Sequence, residues 1–352
     1  MRPLLIYFVL FGLLVPTALR AQDAAISLPK DNREVFAAAA PLYDFSAPAL
    51  KPWRLKATYQ LYSQAGAPTE KGTYEYWWAS PKVYRSTWTR AGEVHSDWHT
   101  ADGKHASQSS GSSLNFFEFN LQSALLSPLP GEADLDPAKF RLQRDSVKVG
   151  EISVPCIMAV PLMPQHGQIQ TVPLGLFPTY CFDPNMPVLR IEYSWGSITT
   201  EFNHIIRIQG RYLAREINLF EGKRKILTAS IDEVTGLNPA DPALAPPPTA
   251  ANVKLEGVEV SPAVAQGFLI KKTTPVYPQD AKEARVEGRV VLQATIGRDG
   301  GIHQLHVLSA PWPSLVHSAL WAVSQWQYKP YLLNGEPVEV ETTINVIYTL
   351  GQ

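Results

Sequence analysis

Gly288-Arg289-Val290-Val291-Leu292-Gln293-Ala294-Thr295-Ile296, followed by Gly297-Arg298-Asp299-Gly300-Gly301, is the stretch on which the reading of the C-terminal region turns. Val290, Leu292, Ala294 and Ile296 alternate with Arg289, Val291, Gln293 and Thr295, the period of a strand with one buried face. Asp299-Gly300 then supplies the positive φ of a tight hairpin turn, so Ile302 to Ser309 returns antiparallel. From Ser314 to Trp326 the period changes. Leu315, Ala319, Val323 and Trp326 fall at spacings of four, four and three, one stripe of a helix. Pro330 stops it and Asn334-Gly335 marks another turn. A last strand, Val338 to Tyr348, sets Val340, Thr342, Ile344, Val346 and Tyr348 on one side.

The run Pro275-x-Tyr277-Pro278-x-x-Ala281, then Glu287-Gly288, Asp299-Gly300, Ala319-Leu320-x-x-Val323-x-x-Trp326-x-Tyr328-x-Pro330 and Gly335-x-Pro337-Val338, resembles the TonB C-terminal domain family over residues 267–350. That resemblance implies a small α+β domain, a three-stranded antiparallel sheet with helices on one face. It also implies a periplasmic location and pairing with an extended peptide of an outer-membrane receptor. The physical logic is strand addition, in which an unpaired sheet edge offers its N–H and C=O groups to a guest. By the same resemblance the partner-binding residues are Val340, Thr342, Ile344, Val346 and Tyr348 of the final strand, with Lys272, Thr274 and Tyr277 from a segment lying beside it. Trp326 takes the core position of the family's Trp. Read without the family, the same residues are the strands and turns of the fold itself, with no partner retained.

The 352 residues are long enough for two domains, each with a core. A net charge of −1, with 18% charged residues, gives no electrostatic case for nucleic acid or an anionic membrane surface. Arg2, the apolar run Leu4 to Leu19 and the small-residue site ending at Ala21 read as an export signal covering residues 1–21. The mature protein is then periplasmic. If the segment is kept, it is an inner-membrane anchor, although the run is short of the roughly 20 apolar residues that span a bilayer. Energy-transducing members of the family carry a polar residue such as His in that helix, and Leu4 to Leu19 has no His, Asp or Glu. Residues 236–266 read as a Pro-rich linker whose richest part, Gly236 to Pro248, reaches only about 40 Å when extended.

Between lead-in (22–52, with a short helix over Arg33 to Ala40) and linker, residues 53–235 read as one large curved antiparallel sheet with one or two short helices. Trp53 to Ser109 has the turn spacing of a β-meander, and Phe116 to Leu126 reads as a short helix packed over it. Val188 to Val234 forms the longest run of strands, with Gly196, Gly210 and Gly222 at hairpin corners. This architecture resembles the periplasmic lipoprotein-carrier (LolA/LolB-like) proteins. The resemblance implies an apolar or lipid ligand lined by Tyr76, Trp78 and Trp88, with Tyr74, Tyr84 and Trp98 alongside. The same aromatics also serve as ordinary cross-strand core pairs. Cys156 and Cys181 are either a disulfide, expected in an oxidising compartment, or two buried thiols.

No catalytic constellation emerges. His95, His99 and His105 form a cluster near Asp97 and Asp102, but residues four apart on a strand lie about 13 Å apart, too far to share one zinc ion. His303 and His306 point to opposite faces of their strand, and His317 reads as exposed. Gly111-Ser112-Ser113 has no supporting His or acid, and Glu192, Glu201 and Glu216 read as solvated. There is no Gly-x-Ser-x-Gly elbow, no His-Glu-x-x-His and no phosphate cradle. No metal or cofactor is implied, and the protein reads as a binding protein rather than an enzyme. Trp321, off the helix stripe, is either a partner contact or tucked under the linker.

Overall fold

Alternation builds the large sheet. The computed structural model describes residues 28–63, 65–110, 114, 116–131, 133–162, 174–194, 198–253, 257–333 and 335–351. The segment read as an export signal, the Gly111-Ser112-Ser113 loop, Gly196 and Asn334 lie outside them. A helix, α1 (Asn32–Ala39), is capped by the Asp31 carboxylate, which accepts from the N–H groups of Arg33 and Glu34. Strand β1 (Trp53–Tyr62) buries Trp53, Leu55, Ala57, Tyr59 and Leu61 and turns the residues between them to the other face. The meander continues through β2 (Pro68–Ser80), β3 (Val83–Arg90), β4 (Glu93–His99) and β5 (His105–Ser110). After helix α2 (Phe116–Leu126) come β6 (Phe140–Val149), β7 (Ile152–Pro161), β8 (Thr179–Phe182), β9 (Leu189–Ser194), β10 (Ile198–Ile208), β11 (Arg211–Glu221) and β12 (Arg224–Gly236).

A short strand β13 (Ala251–Val253) completes a 13-stranded sheet in the order β13-β5-β4-β3-β2-β1-β12-β11-β10-β9-β8-β7-β6. Each named neighbour pair is antiparallel. Open sheets of this width curl, and here α1, Tyr43, Phe45 and Leu50 from the lead-in and Leu121 and Leu125 from α2 fill the inner face. Cys156 and Cys181 sit opposite each other on β7 and β8 and are bonded. Gly72 is required on β2 because a Cβ there would meet the Tyr59 ring at 2.3 Å.

The C-terminal module contains β14 (Val258–Glu259), α3 (Pro262–Gly267), β15 (Leu269–Lys271), α4 (Gln279–Glu283), β16 (Gly288–Ile296), β17 (Ile302–Ser309), α5 (Pro313–Val323), β18 (Gln327–Tyr328), β19 (Leu332–Leu333), β20 (Glu336–Pro337) and β21 (Val340–Tyr348). Its main sheet has the order β14-β21-β16-β17, four strands where three were expected. The extra strand, two residues long, is too short for periodicity to reveal. β15 with β18 and β19 with β20 make small two-stranded ribbons. Among the described residues no helix is long and apolar enough to cross a membrane.

The Pro-rich stretch is not a free spacer. Asp241 caps a 3₁₀ turn over Pro242–Leu244, Leu244 is buried, and the Ala243 carbonyl accepts from Trp98 Nε1 at 3.0 Å and Arg85 Nη1 at 3.4 Å. The Arg85 guanidinium lies between the Trp77 and Trp98 rings, 4.5 and 5.0 Å from their centroids. The module itself is docked on the large sheet. Trp321 of α5 meets Phe117 of α2 at 6.0 Å, under the Arg224 guanidinium at 5.6 Å, and Phe116 joins the module's core. Trp321 is therefore an interdomain contact rather than a linker contact, and His317, expected as exposed, is half-buried at that seam.

A second contact joins the β16–β17 turn to β4. Arg298 Nη2 lies 3.5 Å from Asp97, which holds His95 Nε2 at 3.0 Å, while His303 Nε2 lies 3.1 Å from Asp299. Burial works to lower the His95 pKa, but the hydrogen bond and charge of Asp97, with Asp299 behind, outweigh it and hold the pKa above its ordinary value. A raised His pKa contributes stability that is complete below the ordinary value of about 6.5 and lost as pH rises through the folded value. Comparing the urea midpoints of the protein and His95→Gln between pH 6 and 9 should therefore show a gap that closes with rising pH. A constant gap would remove His95 from the contact's pH response. At the same turn Gly300 has φ 78°, and an added Cβ would meet the Tyr328 carbonyl oxygen at 1.9 Å. Gly300→Ala should cost about 1–3 kcal/mol in chemical denaturation, whereas Gly66→Ala, with nothing within 4 Å of its Cβ position, pays only the positive-φ part.

Candidate functional site

Strand β21 is paired along its whole length on one side only. Against β16 the antiparallel register runs from Gly288↔Tyr348 to Ile296↔Val340. On the other side β14 runs parallel to it over Val258↔Val340 and Glu259↔Glu341. The Val258 N–H donates to the Glu339 carbonyl at 2.9 Å, the Val260 N–H to the Glu341 carbonyl at 3.0 Å, and Thr342 Oγ1 to the Val260 carbonyl at 2.9 Å. The chain then leaves into α3, where Ser261 Oγ accepts from the Val264 N–H. Among the described residues, β21 has no strand neighbour on this side beyond Glu341.

Phase decides which groups are free. Backbone groups of one strand residue point to one side and alternate along the strand. Since the Glu339 and Glu341 carbonyls face β14, the N–H and C=O groups of Thr343, Asn345 and Ile347 face the open margin. Val340, Thr342, Ile344, Val346 and Tyr348, the set expected to bind a partner, turn their backbone groups to β16 and are all buried. A hydrophobic face marks the buried side chains, and the backbone groups without a strand partner belong to the residues between. Tyr348, with its OH donating to the Leu315 carbonyl at 3.2 Å, is held neutral, its pKa pushed up to about 12 mainly by burial.

The preceding segment lies elsewhere than expected. The strand beside β21 is Val258–Glu259, and residues 272–277 run along α5 instead. Trp326 Nε1 donates to the Thr273 carbonyl at 2.9 Å, Ser318 Oγ to the Val276 carbonyl at 2.5 Å, and Tyr277 OH to the Val286 carbonyl at 2.5 Å. The Lys272 ammonium sits 5.3 Å from the Trp326 ring centre, Thr274 is exposed, and the Tyr277 ring meets Tyr348 edge-on at 5.3 Å. Trp326 is buried, as expected of its motif position.

In the large domain Tyr76, Trp78 and Trp88 are 8%, 1% and 2% exposed, inside a core already filled by the lead-in and α2. Trp88 also borders a small depression with Arg90, Val94 and Leu114. The same core holds a residue the sequence did not single out. Glu118 of α2 is fully buried, accepting from Tyr59 OH at 2.5 Å and paired with Arg90 Nε at 3.1 Å. Glu192, expected as solvated, is half-buried, and burial pushes its pKa up to about 8. His99 and His105 touch at 4.1 Å between ring centres, but among the described residues no three His, Cys, Asp or Glu side chains converge on a metal position.

The sequence of the C-terminal module has counterparts among known proteins. Residues 273–350 match the Gram-negative bacterial TonB protein C-terminal. Protein TonB of Vibrio cholerae serotype O1 is 29% identical over 106 residues, which cover 29% of this chain and 42% of that protein. The solution structure of the TonB C-terminal domain of Pseudomonas aeruginosa is 28% identical and covers 24% of this chain and 86% of that one, with a TM-score of 0.22. For the large sheet, a LolA superfamily protein from Nitrosomonas europaea is 9% identical and covers 63% of this chain and 99% of that one, with a TM-score of 0.35.

The phase of β21 separates two prolines. Asn345→Pro removes an N–H that faces the open margin and should leave the melting temperature within a few degrees, a change of about 1 kcal/mol or less. Ile344→Pro removes a donor to β16 and should cost about 3 kcal/mol or more. Equal losses by thermal melting would put the free groups in the wrong phase.

Proposed function

We propose that this chain is an exported, TonB-type envelope transport protein whose C-terminal domain takes an extended peptide of an outer-membrane receptor as an added strand on β21. The observation that carries this reading is the one-sided pairing of β21 beyond Glu341. Position agrees with it. The opposite margin of the sheet, β17, lies against α2 of the large domain, so docking directs the free margin away from the chain's own bulk. The short β14 occupies the first two register positions and leaves the span from Thr343 to Ile347 for a guest.

The match to the TonB C-terminal supports the partner class, and the apolar N-terminal run supports export with a periplasmic location. A membrane-anchored energy transducer would share this edge and differ in retaining residues 1–21, which N-terminal sequencing of the mature protein distinguishes. A lipid carrier finds no support in the large domain, whose aromatic face is packed.

The experiment places a photo-reactive side chain at Ile347, 71% exposed on the free span, in cells, with and without Asn345→Pro. A crosslink to an outer-membrane receptor that falls about tenfold in the proline variant is expected, since one or two lost main-chain hydrogen bonds of about 1 kcal/mol are worth that factor. Crosslinking that is absent, or indifferent to the proline, would end the strand-addition reading.

A further inference from the structure

The free margin of β21 is accompanied by a groove that a bare sheet edge would not have. On the outer face of the small sheet, opposite the helices, a depression is lined by Val260, Pro262, Leu308, Glu259, Glu341 and Thr343. Its floor is sheet, and its wall is the turn by which β14 leaves β21 for α3. Leu308 is 42% exposed there, and Glu259 and Glu341 are both exposed. The register sets these two carboxylates directly opposite each other across the β14–β21 pair. Like charges in that relation are destabilising, and among the described residues neither has an ion-pair partner. An aliphatic wall and two adjacent exposed carboxylates, with the His306 imidazole within electrostatic reach of Glu341, are what the stem and head of a long cationic side chain require.

We infer that the groove is a specificity pocket for a lysine or arginine of the guest strand. The proposal rests on the strand-addition reading and adds the chemistry of the guest. A peptide lying along Thr343, Asn345 and Ile347 projects alternate side chains onto the outer face. The side chain nearest Glu341 enters the groove, its methylenes against Val260 and Pro262 and its charge between Glu259 and Glu341. The guest is thus a short extended segment with one basic residue at the end that meets β14. An acidic residue at that position is rejected by the same pair.

The test uses the full chain and fluorescein-labelled heptapeptides of alternating Thr and Val, with Arg, Gln or Glu walked through each position and binding read by anisotropy. At one position Arg should bind about fivefold more tightly than Gln at low salt, the scale of one or two exposed ion pairs. That advantage should shrink in 0.5 M NaCl. In Glu259→Lys/Glu341→Lys the order should reverse, with the Glu peptide preferred. Both residues are exposed, so an unchanged melting temperature verifies the fold of the variant. Free arginine amide distinguishes a pocket that needs the strand from one that takes any cation, and competition by it alone at equal concentration would overturn the link to the guest strand. Peptides that bind with no Arg preference, or with a preference that the double variant leaves intact, would overturn the pocket while the edge reading stands. If no peptide binds, the edge reading fails and the pocket with it.

Discussion

A β-strand with a neighbour on one side only must leave every second N–H and C=O to water or to another chain. That constraint governs the C-terminal domain. β21 is the second strand of its sheet by topology, yet its companion β14 is two residues long. Natural edges are usually blunted by charge, proline or a covering element. Here the devices are divided: β14 covers the start of the strand, Glu341 marks the junction, and Thr343 to Ile347 carry no basic or proline block. The side of the domain that faces the rest of the chain is closed by α2, so the two margins of one small sheet have opposite treatments.

Docking between the domains follows from side chains that look surplus when each domain is considered alone. α2 carries apolar side chains on more than one side, so it can pack against both domains at once. Leu121 and Leu125 enter the large core while Phe116 and Phe117 reach the small one. Glu118 is the charged residue of that helix, and its burial is tolerated because Tyr59 and Arg90 meet it. Trp321 and the Arg298–Asp97 pair extend the same seam. A half-buried polar link of this type favours one relative placement of the two domains, since sliding either would break the pair.

The sequence made much of the architecture legible. Alternation in β1 and β21 placed their buried faces correctly residue by residue, and the Asp299-Gly300 turn, the α5 helix and the Cys156–Cys181 pair were all readable from local chemistry. What it could not show depends on distant partners. A two-residue strand has no period, so β14 was invisible and the sheet was one strand short. The proline content of residues 236–248 suggested a spacer, because nothing local announces that Ala243 will meet Trp98 and Arg85. The residues expected to meet a partner lie on the phase of β21 that pairs with β16, because hydrophobic pattern reports where side chains go and is silent on which backbone groups lack partners. Glu118 gave no signal at all, since a lone glutamate on a helix is ordinarily at the surface.

The folded-back proline stretch has a mechanical meaning. A rope that hangs slack between two bodies must first be drawn taut before tension on one is felt by the other. Here the stretch is fastened by its turn at Pro242–Leu244 and again where β13 joins β5. A pull applied at β21 would therefore meet those fastenings before the whole stretch could extend.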